Sequence, residues 1–346
     1  MKVLISVKNI SGYLVAGLRE LVKVAEVAIL NEPITDVLHK DDELHSLVKW
    51  YNQKEFDTVD KLLKEMDGWT PDIYLCGGWA FPIYLKLNNV LRKKGCTTVL
   101  LADTAWQGKF RQLMNVLFGR FYFPYKFNYA WGAGPPQAKY FRLLGFQKDC
   151  VFQGMYCADV NKFATIASQR IRPWPHNFIY IGRYVPEKNI HRMEMAFLKA
   201  IGQKPDSDWN LICIGRGALW EKRTVHPRIQ HLGFKSPYEI QDFVKNAGCF
   251  VLPSLYEPWG VVVQEGASMG LPLLCSSRVN ARLRYLKEGV NGFVFNPTDI
   301  DDIARVFLSI MNLTDEELDE MGNNSYNIGM SYTPQMWAST IMSFVK

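Results

Sequence analysis

No two of the seven cysteines in this 346-residue chain are spaced as a C-x-x-C pair. Cys76, Cys96, Cys150, Cys157, Cys213, Cys249 and Cys275 form an odd, scattered set, which argues against a disulfide framework and suits a reducing compartment. No apolar run approaches the ~18–20 residues of a membrane span. The opening MKVLISVKN holds too short an apolar run for a signal peptide. The expected address is the cytoplasm, extending to the inner face of the membrane. The histidines, His39, His45, His176, His191, His226 and His231, lack metal-ligand spacing. Asp206-Ser207-Asp208 is a D-x-D string, but it sits before an apparent strand, where a polar turn is the simpler reading. The expectation is therefore no metal and no cofactor. One further absence is local: between Asp103 and Asp149 there is no acidic residue at all.

The length points to two domains rather than one core. Lys and Arg outnumber Asp and Glu by 40 to 34, and the excess lies in the first half. Residues 1–156 carry 20 bases against 15 acids, and 157–346 carry 20 against 19. Two series of apolar runs alternate with amphipathic stretches. KVLISV (2–7), AEVAIL (25–30), DIYLC (72–76) and CTTVLLA (96–102) read as strands, with a helix from Ser11 and helical stretches at 41–53, 57–66 and 80–94. In the second half the strands are NFIYIG (177–182), WNLICIG (209–215), RIQHLG (228–233), CFVLPS (249–254), PLLCSS (272–277) and GFVFNP (292–297). Ser236 with Glu239, and Thr298 with Asp301, look like helix starts. The mixed segment 157–176 reads as a linker. This pattern predicts an α/β protein of two Rossmann-like domains with mostly parallel sheets, 1–156 and 157–332, with 333–346 packing back on the first.

In such sheets ligands sit at the carboxyl ends of strands, and the chemistry-bearing motifs fall there. SLYEPWGVVVQEGASMGLP (254–272) follows a strand and opens a helix. Gly260 allows close approach to the backbone, and the amides of Val261 and Val262 at the helix start suit an anion. Glu265 lies one turn further on and Glu257 lies on the loop. A buried carboxylate needs a partner. Sugar hydroxyls are one reading of that partner, and a neighbouring Arg or backbone amides are the other. GRYVPEKNI (182–190) also follows a strand, and its Arg183 and Lys188 suit a diphosphate. Solvated surface bases are the plainer alternative.

Taken in order, GRYVPEKN, IGRG (214–217), HLGF (231–234), LPSLYEPWGVVVQEGASMGLP and EGVNGFVF (288–295) resemble the C-terminal half of retaining GT-B glycosyltransferases of the family 4 type. The resemblance covers about 177–300; over 1–156 it rests on the strand–helix alternation. It implies two domains facing a central cleft and a metal-independent hexosyl transfer. The donor would be a nucleotide-diphosphate sugar, UDP or GDP. The acceptor would be a lipid-linked or oligosaccharide hydroxyl, in bacterial surface polysaccharide or glycolipid assembly. It implies catalytic roles for Arg183, Lys188 and Glu257, with Glu265 on the ribose. Gly215, Gly233, Phe234, Gly260, Val261 and Val262 would be donor-binding positions. Many relatives carry a histidine at the end of an N-domain strand; here LLADTAW (100–106) puts Asp103 or Thr104 there. The family's glycine-rich first loop is reduced to NISGY, leaving Ser11 and Gly12 as acceptor-side candidates. An epimerase or hydrolase on the same fold, or a two-lobed sugar-binding protein, are the alternative functions.

GKFRQLMNVLFGRFYFPYKFNYAW (108–131) interleaves aromatics with bases. Either it is a core helix and strand with solvated charges, or, with the rest of 108–148, it meets an anionic membrane surface. The modest pI of 8.8 and the lack of a recognisable binding module argue against a nucleic-acid partner.

Overall fold

A parallel strand covered on both faces has to be apolar at nearly every position, and the first strand shows it: Val3, Leu4 and Ile5 are all buried. The computed structural model describes residues 1–32 and 42–345. His39 and the first residue of the 41–53 stretch lie outside the described residues. The chain divides into two units, Met1–Asp159 joined by the segment from Tyr332 onward, and Val160–Ser331.

The first unit holds a sheet of seven strands, β1 (Lys2–Ser6), β2 (Glu26–Asn31), β3 (Val48–Asn52), β4 (Ile73–Cys76), β5 (Thr97–Ala102), β6 (Tyr129–Gly132) and β7 (Val151–Gln153). Their order is β3-β2-β1-β4-β5-β6-β7, and the paired strands run parallel. Alternate side chains divide between two layers. Val3, Ile5, Val27, Ile29, Ile73 and Leu75 pack into one core, and Leu4, Ala28, Leu30, Tyr74 and Cys76 into the other. Trp337 and Ile341 of the last helix, Pro334–Met342, fill the first layer. Gly17 makes room for Trp337, because a Cβ there would stand 2.6 Å from the indole.

The second unit holds β8 (Asn177–Ile181), β9 (Asn210–Ile214), β10 (Ile229–Gly233), β11 (Cys249–Leu252), β12 (Leu273–Ser276) and β13 (Gly292–Phe295). Their order is β10-β9-β8-β11-β12-β13, again parallel. In each unit the strand order reverses direction once, between β1 and β4 and between β8 and β11. Those are the switch points beside which a crevice opens.

Three readings of the sequence need correction. The 41–53 stretch is not one helix: Asp42–Leu47 is helical, and Val48–Asn52 is an edge strand, which Val48, Trp50 and Tyr51 favour. The presumed linker contains a helix, Val160–Ala167. The helix after β13 is capped by Asp299 rather than Thr298, its carboxylate accepting from the N–H groups of Asp301 and Asp302 at 2.9 and 3.2 Å. Ser236 and Glu239 form the expected reciprocal cap.

Six of the cysteines are buried, with Cys150 half-buried. Burial pushes the thiols of Cys76, Cys96 and Cys275 up to about 12 and those of Cys213 and Cys249 far above their usual range. A thiol reagent at pH 8 should therefore label Cys150 alone in the native protein and all seven cysteines after denaturation. Fast labelling of several native thiols would contradict this packing.

Candidate functional site

The loops that leave β8 and β11 flank the switch point of the second sheet, and hydrogen bonds bind them together. Leu255 N–H donates to Glu187 O at 2.8 Å. Asn189, in the left-handed region at φ 57°, directs its side-chain amide to the carbonyls of Pro253 (3.2 Å) and Pro297 (2.7 Å). With the loops joined, the Lys188 ammonium forms an ion pair with Glu257 Oε2. Side-chain exposures of 16% and 15% put both partners largely out of water. Ser254 Oγ lies 3.4 Å from the same carboxylate oxygen. So in this structure the partner of Glu257 is a base from the neighbouring loop. The sequence reading gave Lys188 to the diphosphate and named Arg or backbone amides as the alternative partners of a buried glutamate.

Gly260 stands at the start of the helix Val261–Ser268 with φ 95°, and a Cβ there would come within 2.9 Å of Glu257 Cγ. The glycine thus supplies the turn and the room for the ion pair. Val263 N–H closes on Gly260 O at 3.0 Å, so the amides of Val261 and Val262 point out of the helix start. Glu265 is half-buried further along this helix.

Next to them the loops after β8, β9 and β10 interlock. Gly215 N–H donates to Gly233 O at 2.7 Å, and Tyr184 N–H to Arg216 O at 3.0 Å. Gly215 has φ 136°, and a Cβ would fall 1.9 Å from Gly182 O, which leaves glycine as the residue that fits. Phe234 is exposed beside Gly233. Arg183 is exposed, and its carbonyl accepts from Tyr180 O–H at 2.9 Å. Burial first, reinforced by the Glu257 carboxylate, holds the Tyr180 phenol far above its ordinary range, so it remains a donor. Of the ten residues that the resemblance implies in this half, nine lie on strand-end loops or the helix that follows them, and Gly233 is the last residue of β10. Lys188 with Glu257 and Gly215 with Gly233 are brought into direct contact.

In the first unit, a cavity of about 520 Å³ opens at the ends of β1, β4 and β5, beside the switch point. Ser11, Asp103 and Thr104 line it. Gly12 begins the helix Gly12–Leu21, with Ser11 at its N-cap. Asp103 is exposed and accepts from Tyr156 O–H at 3.3 Å. Tyr13 packs edge-on against Tyr156, ring centroids 4.8 Å apart. Burial first, then the Asp103 charge, raises the Tyr156 phenol far above its usual range. Tyr13, Trp79 and Tyr156 are walls of this cavity that sequence reasoning missed. The one available signal was the position of Tyr156 just after a strand.

Among the described residues no three His, Cys, Asp or Glu side chains gather as metal ligands, and no helix is long and apolar enough to cross a membrane. Asp208 of the D-x-D string pairs with His176 Nδ1 at 2.6 Å.

Comparison with known proteins adds to this geometry. The family described as glycosyl transferases group 1 matches residues 162–328, slightly under half of the chain. An uncharacterized glycosyltransferase of Methanocaldococcus jannaschii is 27% identical over 179 residues, 49% of this chain and 47% of that relative. The chain thus matches about half of that relative's length. Among solved structures, HepE of Anabaena in complex with UDP aligns with a TM-score of 0.75 at 15% identity, over 99% of each chain. The lipopolysaccharide outer core galactosyltransferase WaaB aligns at 0.72 and 16% identity, over 100% of this chain and 99% of that one. The fold is the expected one: two Rossmann-like domains built on parallel sheets, as in GT-B glycosyltransferases.

Proposed function

We propose, for a chain whose residues 162–328 form a glycosyl transferases group 1 domain, that it transfers a hexose from a UDP-sugar to a hydroxyl of a lipid-linked or oligosaccharide acceptor, with retention at the anomeric carbon, in surface polysaccharide or glycolipid assembly. The observation that carries this reading is the Lys188–Glu257 pair at the β8/β11 switch point, set against a glycine-started helix. A base, a carboxylate and two outward amides on adjoining loops match a ligand with a diphosphate at one end and hydroxyls at the other. The UDP held by HepE and the lipopolysaccharide galactosyl transfer named for WaaB support the donor and acceptor classes.

In this reading Glu265 accepts from the ribose hydroxyls and Glu257 from the sugar. Gly215, Gly233 and Phe234 border the base. Breaking the bond between the anomeric carbon and the diphosphate oxygen leaves growing negative charge on that oxygen. Arg183, Lys188 and the Val261 and Val262 amides meet it, which is electrostatic stabilisation without a metal. Asp103, oriented by Tyr156, receives the acceptor hydroxyl in the first unit.

A thermal-shift screen with UDP-glucose, UDP-galactose, UDP-N-acetylglucosamine and GDP-mannose tests the donor class. A UDP-sugar should raise the melting temperature, since binding at 100 times Kd adds about 2.7 kcal/mol. No shift with any of the four would count against the assignment.

A further inference from the structure

A helix on a water-facing surface turns its apolar side inward, and the helix Phe110–Gly119 does the reverse. Its inward side is mostly small or polar, with Val116 as the apolar residue that packs against the core. Gln112 is buried, its side chain accepting from Gln107 N–H and donating to Ala105 O, each at 2.8 Å. Asn115 bonds the Tyr140 hydroxyl at 3.2 Å. Gly119 lies against Phe123 and Leu144, leaving no space for a Cβ. The outward side is apolar: Phe110 is 78% exposed, Leu113 50%, Leu117 62% and Phe118 68%. Phe121 and Tyr125, both 73% exposed, extend it into the short helix Phe123–Lys126. Positions 110, 113, 117 and 118 recur at helical spacing, so they form one face, and Phe121 follows in the turn after the helix. Elsewhere among the described residues, exposed large apolar side chains are more scattered.

Charge identifies what covers this face. Lys109, Arg111 and Arg120 are exposed around it, and Lys126 lies over the Tyr122 ring at 5.6 Å. No acid occurs anywhere from 104 to 148. A second copy docking face to face would bring like charges together. An anionic lipid surface matches both halves of the pattern, offering headgroups to the bases and an acyl boundary to the rings.

We propose that residues 109–126 seat the protein on an anionic phospholipid bilayer. The rings of Phe110, Phe118 and Phe121 enter the acyl boundary and the bases rest among the phosphates. This surface is separate from the donor residues, so the proposal stands or falls apart from the sugar-transfer reading.

Co-sedimentation with phosphatidylcholine vesicles, with and without phosphatidylglycerol, tests it on the full chain. The protein should pellet with the anionic vesicles at low salt and release as salt rises. Each base removed should weaken partitioning about fivefold, so changing Lys109, Arg111, Arg120 and Lys126 to Ser should cost roughly a hundredfold or more. Changing Phe110, Leu117, Phe118 and Phe121 to Ser removes side chains that water already meets. That variant should stay folded, lose anionic-vesicle binding and bind UDP as the wild type does. Equal pelleting with both vesicle types, or none with either, would overturn the proposal. So would a dimer in analytical ultracentrifugation that the Phe110/Leu117/Phe118/Phe121 variant abolishes while vesicle binding is absent.

Discussion

Replacing Lys188 with Ala should lower the rate of UDP release at saturating UDP-sugar by about 10²–10³-fold, the range seen when one preorganised charge is removed from a transition state. The proposed partner of the ammonium is a leaving diphosphate whose charge grows as the glycosidic bond breaks, so kcat should suffer more than KM. The same substitution strands Glu257. A buried carboxylate left without its base costs about 3–5 kcal/mol, and the Glu257 side chain is only 15% exposed. Loss of activity alone therefore does not separate chemistry from folding. The double variant Lys188→Met with Glu257→Gln does: removing both charges together should restore most of the melting temperature, because replacing a buried pair whole is nearly neutral. Turnover should remain low, because the proposed contacts of Lys188 with the diphosphate and of Glu257 with the sugar are both lost. Recovery of kcat along with stability would make Lys188 a structural residue, and a change in KM alone would make it a binding residue.

Why this pair was hidden from the sequence follows from its geometry. Lys188 and Glu257 are 69 residues apart, on loops that become neighbours only once β8 and β11 pair at the switch point. Each motif was legible by itself, since strand-end position and glycine spacing are local properties, and the contact between them is a property of sheet order. The second sheet reads clearly because its strands are short apolar runs bounded by Gly and Pro. β3 was missed because VKWYN lies at the sheet edge, where burial is partial and the pattern merges with the preceding helix. Glu194 shows the opposite failure. It is fully buried within a helix, accepting from Thr224 N–H at 3.1 Å and Thr224 Oγ1 at 2.6 Å. In sequence it looks like any glutamate on a helix. In the first unit, Asp103 and Thr104 could be named from the end of β5, whereas the aromatic walls of the cavity come from segments with no shared signature. Residues 108–131 were ambiguous because composition does not reveal which side of a helix faces in. Buried Gln112 and exposed Phe118 decide it.

The second large effect concerns Glu265, which sits on the helix that Gly260 begins. Changing it to Gln keeps the side chain's size and removes its charge. A charge-assisted hydrogen bond to a ribose hydroxyl is worth about 1.5–3 kcal/mol, so Kd for UDP should rise by roughly 10- to 150-fold. Fold and melting temperature should change little, as the residue is only half-buried. Calorimetric titration of UDP into the wild-type chain and into Glu265→Gln, both in buffer containing EDTA, is the decisive measurement. One saturable UDP site per chain should survive the chelator and be weakened at least tenfold by the substitution. An absence of UDP binding, binding that appears only when magnesium or manganese is restored, or equal affinity in the two proteins would contradict the proposed donor site.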